Sequence, residues 1–160
     1  RLEGTLAEAR RSHGHGGALL MLDIDHFKRV NDTWGHAVGD EVLQHFSDVV
    51  RQGLRRGDAA GRLGGEEFAV LLPATGLDDA CALAERLRER VAASPASTGA
   101  GDVVVTVSIG VAGFDGGSAT SLLSRADEAL YAAKGAGRDR VFVAGAERGP
   151  VQYTTPPASR

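Results

Sequence analysis

Two carboxylates directly follow a pair of glycines in the run Gly64, Gly65, Glu66, Glu67 and Phe68. Glycine reaches positive φ without steric cost, so two glycines between strand-like segments predict a tight hairpin turn. The two acids are then at the hairpin tip, where the backbone can approach a ligand closely. Carboxylates in such a place favour a divalent cation and the phosphates that it carries. The alternative is a solvated hairpin tip with two surface acids.

A second pair of acids, Asp23 and Asp25, ends the apolar run 18–22. Strand alternation puts both acids on one side and turns Ile24 back into the core. An acid after a strand is also commonly a helix cap or a turn residue, which is the alternative for Asp25 ahead of residues 27–30. We therefore predict that Asp23 is the acid that joins the hairpin tip in an oxygen-ligand site for magnesium.

Hydrophobic periodicity predicts the elements that must position these acids. We expect strands over residues 18–24, 59–63, 67–72 and 103–111, and helices over residues 2–11, 25–33, 39–54, 77–91 and 122–133. This order predicts an α+β fold with a mostly antiparallel sheet covered by helices. We expect residues 1–143 to form one domain and the proline-containing residues 144–160 to be a disordered tail or a linker.

Composition excludes several classes of protein. The chain has 160 residues, 42% of them hydrophobic, which is enough for one good core. Its net charge of −3 and dispersed basic residues argue against a nucleic-acid surface. The single cysteine, Cys81, excludes an internal disulfide, and no apolar stretch is long enough to span a bilayer. The lone cysteine also fits a reducing cytosol, and the start at Arg1 rather than Met indicates a fragment. We therefore expect a cytoplasmic domain of a larger protein, without membrane contact of its own.

Three blocks of this chain resemble GGDEF domains, the catalytic domains of diguanylate cyclases, in order and at family spacing. They are LDIDHFKRVNDTWGHAVGDEVL at residues 22–43, VSIGVA at 107–112 and RADEALYAAKGAGR at 125–138, and the glycine–acid run lies between the first two. The resemblance extends to about residue 143. It implies an α/β sandwich of the nucleotidyl-cyclase type, related to the polymerase palm. It also implies an enzyme that condenses two GTP molecules into cyclic di-GMP and releases pyrophosphate.

The same resemblance assigns the metal ligands and catalytic acids. Asp23, Glu66, Glu67 and the backbone carbonyl of Ile24 are expected to hold Mg²⁺ or Mn²⁺. Glu66 is a candidate base for the attacking hydroxyl, although a metal alone can lower the pKa of that hydroxyl. The identity of the base stays open at this stage.

Four further residues are expected at the triphosphate. By resemblance, the backbone amides at His26 and Phe27 meet it, as amides at helix starts commonly do. Lys134 and Arg138 would share a helix face if the helix continues through the intervening glycines, and they would neutralise the β- and γ-phosphates. The alternative is two solvated cations at a helix C-terminus, where the helix dipole favours them.

Base recognition is expected to fall to Asn31 and Asp40. Guanine presents N1–H and an amino group to a carboxylate and acceptors to an amide nitrogen. Taken alone, either residue is more often a cap or a turn former. The spacing of the block at residues 31–40 favours base recognition, and we expect His36 to orient the loop through a hydrogen bond.

The resemblance also implies a product-inhibition site. Arg55 and Asp58 match an Arg-x-x-Asp pair that binds cyclic di-GMP in many members, and Arg86 occupies the position of a secondary arginine. A guanidinium can fork to guanine or phosphate, and a carboxylate can take the guanine donors. The alternatives are a surface ion pair at a helix end and a solvated helix face.

Two features depart from the family pattern. An Asp-x-Leu-Thr-Gly-Leu-x-Asn-Arg segment usual before the first helix is absent, so the N-terminal edge looks truncated, and Asp139 stands where Asn is usual. Each domain supplies one GTP, so the expected partners are GTP, cyclic di-GMP and a second copy of the domain. The alternative function is a catalytically weak module that binds cyclic di-GMP.

Overall fold

The computed structural model describes residues 16–145 and 147–158. Its helices in that part of the chain are α1 (Phe27–Trp34), α2 (His36–Gln52), α3 (Leu77–Ala93) and α4 (Ala119–Gly135). Its strands are β1 (Gly17–Ile24), β2 (Ala59–Gly64), β3 (Glu67–Pro73), β4 (Ala96–Thr98), β5 (Gly101–Val103), β6 (Val107–Gly113), β7 (Val141–Val143) and β8 (Val151–Gln152). The helix predicted over residues 2–11 lies outside the described residues.

Six strands form the main sheet in the order β2-β3-β1-β6-β7-β8. Every neighbouring pair is antiparallel except β6 and β7, which are parallel. Strand β1 lies between β3 and β6 and is buried along its whole length, which explains its uninterrupted apolar sequence. The predicted mostly antiparallel sheet is confirmed.

Helices cover both faces of the sheet. Alternate residues of β1, such as Leu20 and Leu22, pack into the core formed with α1, α2 and α3. Leu19 and Met21 point the other way and pack with α4, where Leu130 is buried. Alternation along one strand therefore serves two cores, and the domain is an α/β sandwich.

Two sequence predictions about strands are wrong. The strand expected over residues 103–111 is split, because β5 ends at Val103 in a hairpin with β4 and β6 begins only at Val107. The tail expected to be disordered contains β8, which pairs with β7, and Tyr153 packs against the core. Both errors concern strand pairing, of β5 with β4 and of β8 with β7, which the composition of a single segment does not report. The domain boundary after residue 143 stays a prediction.

The predicted hairpin is confirmed as β2 and β3, and it runs beside β1 on the side opposite β6. The end of β1, the tip of the hairpin and the start of α1 therefore meet at one end of the sheet. Among the described residues, no helix combines the length and the hydropathy that crossing a bilayer requires.

Candidate active site

The hairpin tip is a two-residue turn formed by Gly65 and Glu66, closed by the pair Gly64 and Glu67. Gly65 has φ +50°, which glycine adopts readily. Arg62 Nε donates to the carbonyl of Gly65 at 2.8 Å, and the amide of Ile24 donates to the carbonyl of Glu66 at 3.3 Å. The first bond braces the tip within the hairpin and the second ties it to the end of β1, so the acids of the two segments are held side by side.

The antiparallel register places Asp23 directly opposite Glu67. Both side chains lie on the α4 face of the sheet, because the alternate residues that precede Asp23 and follow Glu67 pack into the α4 core. Asp23 is buried, with 5% of its surface exposed. Asp23 is thus a neighbour of Glu66 and Glu67, which follow it by 43 and 44 positions in the sequence, as the sequence predicted.

Burial raises the pKa of Asp23, and the nearby carboxylates of Glu66 and Glu67 raise it further. The opposing influence is Lys134 of α4, whose ammonium group makes an ion pair with Asp23 and lowers this pKa. A buried acid beside two other acids is unfavourable unless a cation neutralises it. The site is therefore built around positive charge, which Lys134 supplies in this structure.

The donor set fits a hard divalent cation. In the described part of the chain no three acidic, histidine or cysteine side chains converge on one point as a ready-made metal site. The carboxylates of Glu66 and Glu67 nevertheless lie close enough to Asp23 to raise its pKa, and oxygen ligands are those that Mg²⁺ and Mn²⁺ prefer. The chemistry and placement of these residues fit such an ion, with rotation of the side chains to bring them together.

A cavity of about 230 Å³ opens beside these acids. Acids, cations and the start of α1 line it together: Asp23, Ile24, Asp25, His26, Phe27, Lys28, Glu66, Lys134 and Arg138. His26, the N-cap residue of α1, has φ 57°, an unfavourable value for a residue with a side chain. The first amide groups of a helix have no partner within it, so this cavity combines free amides and cations, as a phosphate site requires.

Lys134 and Arg138 do not share a helix face, because the helix does not continue through Gly135 and Gly137 as that prediction required. Helix α4 ends at Gly135 with the pattern of a Schellman motif: the amide of Arg138 donates to the carbonyl of Ala133 at 3.0 Å, and that of Gly137 to the carbonyl of Lys134 at 3.3 Å. Gly137 has φ +123°, which ends the helix. Both cations still line the same cavity, one from the helix and the other from the turn after it.

That turn is strained. Arg138 and Asp139 have φ values of 66° and 48°, and each such residue costs about 1–2 kcal/mol. Asp139 makes an ion pair with Arg88 of α3 at 2.8 Å, so the aspartate that departs from the family pattern has a charged partner. Hydrogen bonding to Glu85, reinforced by Asp139, raises the pKa of Arg88 and keeps it charged.

Asp25 does not cap α1, so the cap interpretation is wrong. The N-cap residue is His26, and no side chain caps it. The carboxylate of Asp25 is instead buried and accepts three hydrogen bonds, from Ser108 Oγ at 2.6 Å, Thr106 Oγ1 at 2.7 Å and the amide of Asp139 at 3.0 Å. Sequence reasoning could not find these partners, which lie 81 to 114 positions away.

A second cavity of about 410 Å³ contains both predicted base-recognition residues, Asn31 and Asp40. The Oδ1 atom of Asn31 is buried and, within the described structure, has no hydrogen-bond partner. Asn31 fits there because Gly39 faces it: a Cβ at position 39 would be 1.9 Å from that oxygen. A buried, unsatisfied amide beside a cavity is poised to bind a polar ligand.

Sequence reasoning missed several residues of this cavity. Lys28, Leu43 and Arg62 line it without having been predicted. His36 was predicted and also lines it, but its expected orienting hydrogen bond is not found among the described residues. Arg62 had a signal in the sequence, since it lies two residues before the glycine pair. Phe27, Lys28 and Glu66 line both cavities, which makes them adjoining parts of one groove.

The predicted product site lies away from this groove. The amide of Arg55 donates to Asp58 Oδ2 at 2.9 Å, and its guanidinium donates to Thr75 Oγ1 at 3.2 Å. Arg86 is exposed on α3. The binding role of Arg55, Asp58 and Arg86 stays a prediction.

Comparison with protein families and known proteins agrees with this geometry. The family model described as diguanylate cyclase, GGDEF domain, matches residues 1–140. Diguanylate cyclase DgcP of Pseudomonas aeruginosa is 49% identical over 140 residues, which are 86% of this chain and 21% of that protein. The chain spans 21–34% of the length of the first three curated relatives compared.

Solved structures share the fold. The GGDEF domain of DgcB from Caulobacter crescentus, in complex with c-di-GMP, is 39% identical with a TM-score of 0.82, over 89% of this chain and 85% of that one. The active GGEEF domain of a diguanylate cyclase from Vibrio cholerae is 32% identical with a TM-score of 0.81, over 91% of this chain and 92% of that one.

Proposed function

Because the chain belongs to the GGDEF family, we propose that this domain is a diguanylate cyclase, which condenses two GTP molecules into cyclic di-GMP. The observation that carries the proposal is the meeting of Asp23, Glu66 and Glu67 at one end of the sheet, beside a cavity that also contains Lys134 and Arg138. Carboxylates for a metal next to cations for phosphate are what nucleotidyl transfer requires.

The groove fits one GTP in a defined direction. Asn31 and Asp40 lie at its wider end, where a carboxylate and an amide complement the edge of guanine. Lys134 and Arg138 lie at the narrower end, with the start of α1, and bind the β- and γ-phosphates. Lys134 is 31% exposed, so it can turn from Asp23 to phosphate oxygens within the same cavity.

Asp23, Glu66, Glu67 and the carbonyl of Ile24 would hold Mg²⁺ or Mn²⁺. Such an ion, when bound, neutralises triphosphate charge and lowers the pKa of the attacking hydroxyl. Glu66, at the tip of the hairpin, lies between the two cavities and is the candidate acceptor of the hydroxyl proton.

One domain binds one GTP, so the reaction takes place between two copies that face each other. The 3′-oxygen of one GTP forms a bond to the α-phosphorus of the other, and the bond from that phosphorus to the bridging oxygen of the β-phosphate breaks. Pyrophosphate leaves, and a second round closes the ring. GTP is abundant in the cytoplasm, where we place this domain.

A product site at Arg55, Asp58 and Arg86 belongs to the same proposal. The DgcB domain was solved in complex with c-di-GMP, which supports product binding by domains of this fold. In this chain the turn of Arg55 is fixed by its hydrogen bonds to Asp58 and Thr75, which preorganises an arginine for a ligand. Binding there would slow synthesis without occupying the GTP groove.

The test is incubation of the purified domain with GTP and Mg²⁺, with products resolved by chromatography. We expect cyclic di-GMP and pyrophosphate from the parent and at least about a 1,000-fold loss in Glu66→Ala, because metal stabilisation of this kind is worth several kcal/mol. Glu89→Ala, which removes an exposed acid of α3, is the matched control. Substantial turnover by folded Glu66→Ala would refute the assignment of the acids, and a parent that only binds cyclic di-GMP would be a regulatory module.

A further inference from the structure

We propose that Asp25 is a positioning residue that holds Arg138 in place for the triphosphate, a role that rests on the proposed function. Asp25 is a buried acid, 5% exposed, that the proposed chemistry does not use. Asp23, two residues earlier in the chain, is one of the proposed metal ligands. The argument for its role comes from where its carboxylate binds.

Both oxygens of the Asp25 carboxylate are already used. Oδ1 accepts from Ser108 Oγ, and Oδ2 accepts from Thr106 Oγ1 and from the amide of Asp139. An acid with three donors in hydrogen-bonding range is fixed in orientation and has little capacity left for a metal. Asp25 therefore acts through the groups that it binds.

Those groups belong to separate segments of the chain. Ser108 is in β6, Thr106 precedes that strand, and Asp139 is in the turn between α4 and β7. The amide of Asp25 also donates to the carbonyl of Thr106 at 2.9 Å. One residue thus fastens the turn after α4 to the ends of β1 and β6, where the proposed metal site lies.

The turn needs such a fastening. Arg138 and Asp139 both have positive φ, and strained residues persist only where their surroundings hold them. The Asp139 amide is held by Asp25 and its side chain by Arg88, while Arg140 Nε donates to the carbonyl of Arg138 at 2.8 Å. Without Asp25, we expect the Asp139 amide to be released and Arg138 to leave the phosphate cavity.

The experiment measures affinity by calorimetry for two ligands, GMP and the non-hydrolysable α,β-methylene analogue of GTP. Arg138 meets only the β- and γ-phosphates in the proposed groove, so Asp25→Ala should weaken binding of the GTP analogue by about tenfold, as expected for loss of one charged hydrogen-bonding partner. Binding of GMP should change by less than about twofold. A merely structural defect would lower both affinities together.

A double-mutant cycle tests whether Asp25 acts through Arg138. In an Arg138→Ala background, adding Asp25→Ala should cause no further loss of affinity for the GTP analogue. Asp25→Asn should largely restore binding, because its oxygen can accept from Asp139 and its amide can donate to the Ser108 hydroxyl. Asp102→Ala, which removes an exposed acid of β5, controls for the change of charge.

If Asp25→Ala does not fold, Asp25→Ser replaces it, since serine keeps a polar group at the buried position but is one bond shorter than the carboxylate oxygen that accepts from the Asp139 amide. Equal losses for GMP and the GTP analogue, or additive losses with Arg138→Ala, would overturn the positioning role. A parent domain that binds neither ligand would instead refute the proposed function.

Discussion

Gly39 of α2 provides the sharpest test of the base cavity, because its substitution separates binding from stability. A Cβ at position 39 would lie 1.9 Å from Asn31 Oδ1 and 3.0 Å from Asn31 Cγ. The amide oxygen must retreat by about 1.5 Å to reach an ordinary contact of 3.4 Å or more. The atom that moves is at the end of a side chain, so Gly39→Ala displaces the Asn31 amide and leaves the helix in place.

The expected effect on stability is small. Alanine in place of glycine within a helix stabilises by about 0.5–1 kcal/mol, which offsets much of the cost of moving one amide. The remaining contact, 3.3 Å to Phe27 Cζ, is tight but tolerable. We therefore expect the free energy of unfolding in urea to change by less than about 1 kcal/mol.

The expected effect on binding is large. A shift of about 1.5 Å breaks a hydrogen bond, and a polar group of guanine left without a partner costs about 1–3 kcal/mol. Affinity for a non-hydrolysable GTP analogue should fall by about 5- to 150-fold in calorimetric titration. Asn31→Ala should cause a similar loss, and the double variant should lose no more than either alone.

Gly61→Ala is the matched control, because a Cβ at position 61 of β2 meets no atom within 4 Å. Its affinity for the GTP analogue should equal that of the parent. Unchanged affinity in folded Gly39→Ala would show that Asn31 does not recognise the base, and the role assigned to this cavity would be wrong.

Arg55→Ala should remove inhibition by cyclic di-GMP and leave affinity for GTP intact. The rate of synthesis at rising cyclic di-GMP concentration measures the inhibition, and undiminished inhibition would exclude the proposed product site. Gly110→Ala should destabilise the fold by about 3 kcal/mol in urea unfolding, because its Cβ would be 2.2 Å from the carbonyl oxygen of Ala126 in α4, and a fully stable variant would contradict this packing. Burial raises the pKa of Cys81 to about 11, so the native thiol should react with a disulfide reagent at pH 8 far more slowly than the unfolded thiol. A rapidly reacting native thiol would show that Cys81 is accessible. Because the unfolded thiol ionises first as pH rises above 9.0, the contribution of this group to the free energy of unfolding should fall between pH 9 and 11.

Much of the site could be predicted from the sequence because its signals are local. The glycine pair predicted the hairpin, and the apolar run before Asp23 predicted a buried strand ending in an acid. Strand alternation then placed Asp23 and Ile24 on opposite faces, as the structure confirms. The three motif blocks identified the family, since each block is a short continuous segment and their order and spacing can be read directly from the sequence.

Other features depended on contacts between distant segments. The periodicity of α4 predicted a helix but not its end. Arg138 was therefore expected on a helix face only if the helix continued, and it lies in a strained turn instead. Asp25 resembled a cap in sequence, yet its hydrogen-bond partners come from segments more than 80 positions away. The short strand β8 is likewise defined by its pairing with β7 and has no strong strand signal of its own in the sequence.

The sequence by itself therefore determined which residues are present for the chemistry and on which strand or helix most of them lie. Only the tertiary structure decided how they are held: Lys134 against Asp23, Asn31 in the space left by Gly39, and the turn of Arg138 fastened by Asp25. The physical reason is the distance along the chain over which each effect acts. Backbone propensity and periodicity act over a few residues, whereas burial and hydrogen bonding of these groups depend on neighbours that only folding brings together.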